Sequence, residues 1–414
     1  MMTSVMENLN ISSIYRAHCN LMSEYSVNHS ISQPWHTVFA ILYAIVASTA
    51  FFCNLFLIIA LYMDNKKHPR INEAIYSYSQ TGNSTTSTLS EKTRNHLIGC
   101  LATLDLLLSI TMPFTALDML TKYWPLGIHT EVLAKLIRAV PAVIVYSSSM
   151  IIILIATHCY RQVLHPSKRQ ITPSVIPYIT VCILIFSILM SIPIYHYTTL
   201  KPLLPRTFLD ILKHLKSKSN NTLPCQTPTT TNIMDVSFCI DSWPNFDGID
   251  IRLINAIVSL FVQLVIPSIV ICKAYFSIYR RIKHQSKIQN RVRQRRQQQK
   301  IINERRRNKR RNILMVSVAF VFVLAWLPLG VFATLSDAKI NIFGDNSEAK
   351  TIAFMICHLL GMSSACVNPV IYGYRNKNIR KGKIFKKMLK YVKFRFNFVS
   401  RLRIYILSLL YVYL

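Results

Sequence analysis

Residues 171–197 read ITPSVIPYITVCILIFSILMSIPIYHY and contain no Asp, Glu, Lys or Arg. A helix rises about 1.5 Å per residue and the hydrocarbon layer of a bilayer is about 30 Å thick, so about 20 such residues span it. Six further runs of comparable length lie at 36–63, 96–121, 131–157, 251–279, 312–336 and 348–374. Those at 96–121 and 131–157 carry polar interruptions. Helices buried in soluble proteins rarely stay uncharged this long, and seven in one chain predict an all-α membrane protein, a seven-helix transmembrane bundle. Composition agrees: the 414 residues are 51% hydrophobic and only 16% charged, where a soluble chain carries about 25% charged residues. A water-soluble enzyme is thereby disfavoured, and no nucleophile–base set suggests any enzyme. Nine glycines leave little for a Gly-rich nucleotide loop. Ten cysteines fall far below a disulfide scaffold, and no Cys/His spacing suits a tetrahedral zinc site.

The net charge of +31 would fit a nucleic-acid binder if it were clustered on a soluble face. It is instead distributed by topology. Of 48 Lys and Arg, 15 fall in 280–311 beside one acid, Glu304, and 12 fall after position 374 with no acid. Segments 64–95 and 161–169 add five and three. Positive residues stay on the cytoplasmic side, so the reading puts the N-terminus outside, the C-terminus inside, and no nucleic acid among the partners. It divides the chain into an outside segment 1–35, a membrane domain 36–374 and a basic cytoplasmic tail 375–414. The first 35 residues show no apolar core of a signal peptide, and Asn10 and Asn28 head outside glycosylation sequons. Within the long connection 64–95, the Ser/Thr-rich part 74–90 reads as a disordered insertion. The loop 198–250 is also long. In the tail, 376–394 alternates basic and apolar residues, as an amphipathic helix on membrane lipid does.

Polar residues inside spans are costly and mark function. Asp105 lies at mid-depth of the second run, with Asn54, Ser148 and Asn368 at similar depth in others. They form either a site for sodium, water or a proton, or a helix-packing hydrogen-bond network. Prolines 113, 141, 193, 267, 328 and 369 permit kinks. An ion transporter or channel built on Asp105 is the rival reading. The chain shows no internal repeat, no arginine ladder and no TVGYG-like filter.

The motifs, taken in order, resemble those of a rhodopsin-like G-protein-coupled receptor over residues 36–394. The carriers are Asn54, Leu101-Ala102-Thr103-Leu104-Asp105, Pro267 with Tyr275, Phe322 before Ala325-Trp326-Leu327-Pro328, and Asn368-Pro369-Val370-Ile371-Tyr372. A narrower likeness to neuropeptide Y and neuropeptide F receptors rests on Thr111-Met112-Pro113, Lys122-Tyr123-Trp124-Pro125-Leu126-Gly127 and Cys239-Ile240-Asp241-Ser242-Trp243-Pro244. That resemblance implies a plasma-membrane receptor for an extracellular peptide ending in an amidated Arg-aromatic pair, with a heterotrimeric G protein as partner. It implies Asp337 as the acid for the ligand's arginine, His358 as a pocket histidine, Trp326 as pocket floor, and Asp241 and Trp243 as loop contacts. Asp105, Asn54, Ser148, Asn368, Tyr372, Tyr275 and Phe322 would form the activation network.

Three departures stand out. At the cytoplasmic end of the third helix the family's Asp-Arg-Tyr aligns with His158-Cys159-Tyr160, followed by Arg161. Cys159 cannot make the charged bidentate contact of arginine. Arg161 is then a displaced substitute, or the receptor binds peptide with weak or no coupling. The family's third-helix cysteine aligns with Ala134, which leaves Cys239 without that partner; Cys225 becomes the natural one and Cys19 a competitor. The family's polar third-helix pocket residue aligns with Pro141.

Overall fold

The charge-free run forms one helix of seven. A computed structural model of the chain describes residues 30–67, 84–124, 126, 128–165, 171–202, 237–247, 249–291, 320–340, 343–344, 346–375 and 386–393. The helices are α1 (Gln33–Lys67), α2 (Ser84–Leu120), α3 (Glu131–Leu164), α4 (Ile176–Tyr197), α5, α6 (Phe320–Asp337) and α7 (Ser347–Arg375). Helix α5 runs as Ile251–Leu260, a π-helical turn Phe261–Val265 and Ile266–Arg291. All seven are long and apolar enough to cross a membrane. Helix is the form these runs must take, because hydrocarbon offers no partner for an unpaired backbone N–H or C=O.

Burial orders the bundle. In the most apolar stretch of α3, 67% of residues are buried, against 17% for α4. Helix α3 is thus the central post, packed on α2, α4 and α5, while α1 packs on α2 and α7. On α4 the outward row Val181, Ile185 and Leu189 is exposed, as a lipid-facing surface is. The core contains Leu101, Leu104, Ile151, Ile155, Phe322, Trp326, Met362 and Tyr372.

Two prolines explain two helix–helix bonds. A proline has no N–H to offer the carbonyl four residues earlier. Pro369 withholds it from Ala365, and the Asn54 amide of α1 donates to that carbonyl at 3.0 Å, and to Ala50 O at 2.9 Å. Pro267 withholds it from Gln263, in the π turn, and the Ser149 hydroxyl of α3 donates to that carbonyl at 3.1 Å. Ser149→Ala is expected to cost about 1 kcal/mol, the net worth of one such bond; a thermal melt of the detergent-solubilised protein checks this.

At one end of the bundle the chain forms an antiparallel hairpin of β1 (Thr198–Pro202) and β2 (Ser237–Asp241), with Thr198 opposite Asp241. Strands β3 (Asn245–Phe246) and β4 (Ile249–Asp250) lead into α5. We call this the hairpin end and the other the basic end. The segment expected to be disordered differs: from Ser84 onward it is helical, because α2 continues through it, and the helix adds one backbone bond per residue once nucleated. Residues 74–83 lie outside the described residues. Of the expected amphipathic helix, 386–393 is described and helical (α8). It docks on α1 through Tyr391, edge-on to Phe52 at 5.4 Å, with Met388 buried. Asn10, Asn28 and Cys225 lie outside the described residues.

Candidate functional site

At the hairpin end the largest feature is a residue the sequence does not single out. Arg138, two turns into α3, donates from Nε to Asp118 Oδ2 at 2.9 Å and from Nη1 to Asp241 Oδ1 at 2.8 Å. Its Nη2 reaches the Cys239 carbonyl at 3.0 Å and Asp118 Oδ1 at 3.4 Å. One guanidinium therefore ties α3 to α2 and to β2. Its side chain is 25% exposed and the two acids 15% and 31%. Beside it, Trp124, Ala134, Ile137 and Leu200 form an apolar cluster against which Cys239 packs. Among the described residues Cys239 has no disulfide partner and carries a free thiol; Cys225, expected to bridge it, lies outside them. Burial pushes that thiol up to about 12, with Arg138 pulling the other way. The hairpin is further held by Trp124 N–H to Ser237 O at 2.8 Å and Tyr123 edge-on to Phe238.

Across the rim, Asp337 at the end of α6 is 13% exposed, and it accepts from Arg252 Nε at 2.8 Å; Arg252, at the start of α5, is 47% exposed. The Arg252 backbone N–H is held by Asp250 Oδ1 at 3.0 Å, and Lys339 Nζ lies 3.8 Å from Asp250 Oδ2. The two arginines differ in how they can be removed. Stripping one partner from a buried ion pair costs about 3–5 kcal/mol, whereas a solvent-facing pair is worth about 0.2–1 kcal/mol. Arg138 belongs near the first case and Arg252 near the second.

The other expected contacts are distributed unevenly. His358 is buried, its Nδ1 lying 2.9 Å from the Tyr43 hydroxyl of α1 and its ring stacked on Phe354. Trp243 rests on Tyr197 with ring centroids 4.6 Å apart, so it braces the hairpin. Deeper, Trp326 donates from Nε1 to Ser364 Oγ at 3.2 Å and lies 6.1 Å from the Phe322 ring. Gly361 of α7 faces that indole; a Cβ there would sit 3.0–3.2 Å from three of its ring carbons.

At mid-depth, the Asn368 amide donates to Asp105 Oδ2 at 2.8 Å, both residues fully inside the bundle. Asn54 reaches α7 one turn earlier, at Ala365. Ser148 is buried with no hydrogen-bond partner for its hydroxyl among the described residues. The second helix, first helix and proline-interrupted seventh helix are therefore joined through Asp105, Asn54 and Asn368. Residues 81–372 match the family described as 7 transmembrane receptor (rhodopsin family). The chain belongs to that family.

Relatives narrow the likeness. The receptor is 28% identical over 362 residues to the Neuropeptide F receptor of Drosophila melanogaster, covering 87% of this chain and 64% of that one. It is 28% identical to mouse Neuropeptide Y receptor type 4 over 69% of this chain and 68% of that one, and 26% identical to mouse Neuropeptide Y receptor type 6 over 70% of each. The chain thus spans just under two thirds of the Drosophila receptor's length. The family is one of receptors rather than of enzymes.

At the basic end of the receptor, His158 and Cys159 are buried, and Cys159 belongs to the apolar core that also holds Ile155, Ile278 and Tyr372. Tyr160 lies edge-on to His165, and the Arg161 carbonyl accepts the His165 N–H that ends α3. The Tyr275 ring is half exposed and stacks on Tyr279, while Tyr372 is buried. Sequence reasoning missed Arg138, Asp118, Arg252, Ser149, Ser364 and Gly361. Only for Ser149 was a signal present, in Pro267 and the carbonyl it leaves unsupplied.

Proposed function

We propose that the chain is a plasma-membrane receptor for an extracellular peptide with an amidated Arg-Phe or Arg-Tyr end, signalling through a heterotrimeric G protein. In this reading the hairpin end faces outward and the basic end, with α8 on the inner lipid surface, faces the cytoplasm. The observation that carries it is Asp337: a well-covered acid at the rim, held by a single half-exposed arginine and so open to exchange with a ligand's guanidinium. A charge-assisted bond to arginine there is of the strong kind. The ligand shifts an inactive–active equilibrium only as far as it binds the active form better, and the shift runs through Trp326, Phe322, Asp105, Asn368 and Tyr372. Asp105, a buried carboxylate, and the buried Ser148 hydroxyl are side chains that would help to hold a sodium ion; bound there, the ion would supply a positive charge to balance Asp105.

A second reading follows from Cys159. A small apolar side chain fills the place of the arginine that contacts the G protein, so the receptor binds peptide with weak or no coupling. One experiment separates the two. The native chain and Cys159→Arg are expressed, surface levels matched, and G-protein activation measured with a panel of amidated Arg-Phe and Arg-Tyr peptides. A response from the native chain supports coupling. A response only from Cys159→Arg supports binding without coupling. Silence from both, with no peptide binding, removes the peptide reading; ion flux instead would favour a transporter or channel.

A further inference from the structure

We propose that Arg252 is a tethered competitor for the ligand's cation, occupying Asp337 until a guanidinium from outside replaces it. The proposal rests on the peptide reading above. Asp118, Asp241 and Asp337 are acids at the hairpin end that each already hold an arginine of the chain itself. Asp118 and Asp241 share Arg138, which reaches them and the Cys239 carbonyl through three nitrogens and is three-quarters covered. That arginine cannot swing away without leaving two covered carboxylates bare. Among the described residues the Arg252 head group makes one polar contact, Nε to Asp337 Oδ1 at 2.8 Å, and nearly half of its side chain is open. Its main chain is fixed, because Asp250 caps its backbone N–H at 3.0 Å, so only the side chain has to turn.

The consequence is an exchange of like for like. An incoming guanidinium takes the Asp337 oxygen, the Arg252 head turns to water, and at no stage is the acid left uncovered. A neutral ligand group cannot make this trade, since it would strand Asp337 without a cation. Arg252 therefore lowers affinity for every ligand whose cation uses Asp337, while a ligand lacking that charge leaves the pair in place and gains nothing from its removal. The same exchange unties the start of α5 from the end of α6.

The test is saturation binding of a fluorescent amidated peptide ending in Arg-Phe, and of its twin with citrulline in place of arginine, to the full-length receptor in lipid nanodiscs. Arg252→Gln is expected to tighten the arginine peptide about threefold, the scale set by an exposed ion pair, and to leave the citrulline twin unchanged. Lys339→Gln, which removes one positive charge from the same rim beside Asp250 without touching Asp337, is expected to change Kd little. Asp337→Asn should weaken the arginine peptide and abolish the gain from Arg252→Gln. Equal tightening by Lys339→Gln would mean a general field of the rim and overturn the proposal, as would an unchanged or weaker Kd in Arg252→Gln; peptide binding by the native chain would then still support the peptide reading. No binding by any variant would defeat the peptide reading itself, and this proposal with it.

Discussion

Replacing Arg138 with alanine is expected to detach the hairpin from the bundle and to lower stability by about 3 kcal/mol. The figure follows from what remains: Asp118 and Asp241, 15% and 31% exposed, lose the cation they share, and an uncompensated charge in such a setting costs about 3–5 kcal/mol, discounted here for partial solvent access. Thermal melting in detergent reads the loss. A second readout reports where it occurs. Cys239 sits beneath Arg138 in the small cluster around Trp124 and Ala134, with its thiol shielded and pushed up to about 12, so it reacts slowly with alkylating reagents. In Arg138→Ala it should become reactive, with no comparable change at Cys53 in the core. Ala134→Cys puts a second thiol into the same cluster, and a bridge to Cys239 is expected to restore the melting temperature of the Arg138→Ala background. A variant that melts like the native protein with Cys239 still shielded would show that the apolar cluster alone holds the hairpin.

Gly361→Val is the second large effect. A Cβ at 361 meets the Trp326 ring at 3.0–3.2 Å, tighter than ordinary contact, and a rigid indole in a packed core cannot fold away as a flexible chain end would. The ring has to move, and movement breaks its bond to Ser364. Overpacking of this kind costs about 1–3 kcal/mol. Gly361→Ala adds one carbon and should cost less, while valine's branches enlarge the conflict. The melt gives the stability term, and Trp326 fluorescence, isolated by replacing the chain's three other tryptophans with phenylalanine, gives the displacement. If Gly361→Val melts like the native receptor with an unshifted spectrum, α7 has slack at this position and Trp326 is not pinned by it.

The membrane bundle was legible because the bilayer imposes its own length on sequence: a run such as 171–197 has few other uses. Asp105, Asn54 and Asn368 were legible as polar residues where polarity is costly, and two of them meet directly. Asp337 was implied by the resemblance, and it ends α6 in a pair with Arg252. What stayed hidden was partnership. Arg138 reads in sequence as one more basic residue near a helix end, and nothing local says that it meets Asp241, 103 positions away. Arg252 reads as a loop-proximal charge for the same reason. Tyr275 likewise fits the motif by its spacing from Pro267, and its stacking on Tyr279 could not be read from that spacing. Such pairings are set by how helices rotate about their axes, which periodicity constrains only within a broad arc.

The bond from Asn54 to Ala365 bears on how the receptor is built. Helix α7 carries at Pro369 a gap in its own ladder, and a carbonyl without a donor in hydrocarbon is costly by several kcal/mol. The donor lies on α1, 311 positions earlier. During synthesis the first span must therefore wait in the bilayer, its amide uncommitted to any other helix, until the last one arrives. The final span cannot close that gap from its own ladder, and its arrival beside the first brings the donor to it. A truncation before α7 should thus leave not a stable six-helix remnant but an open bundle with a polar group facing lipid, a substrate for membrane quality control.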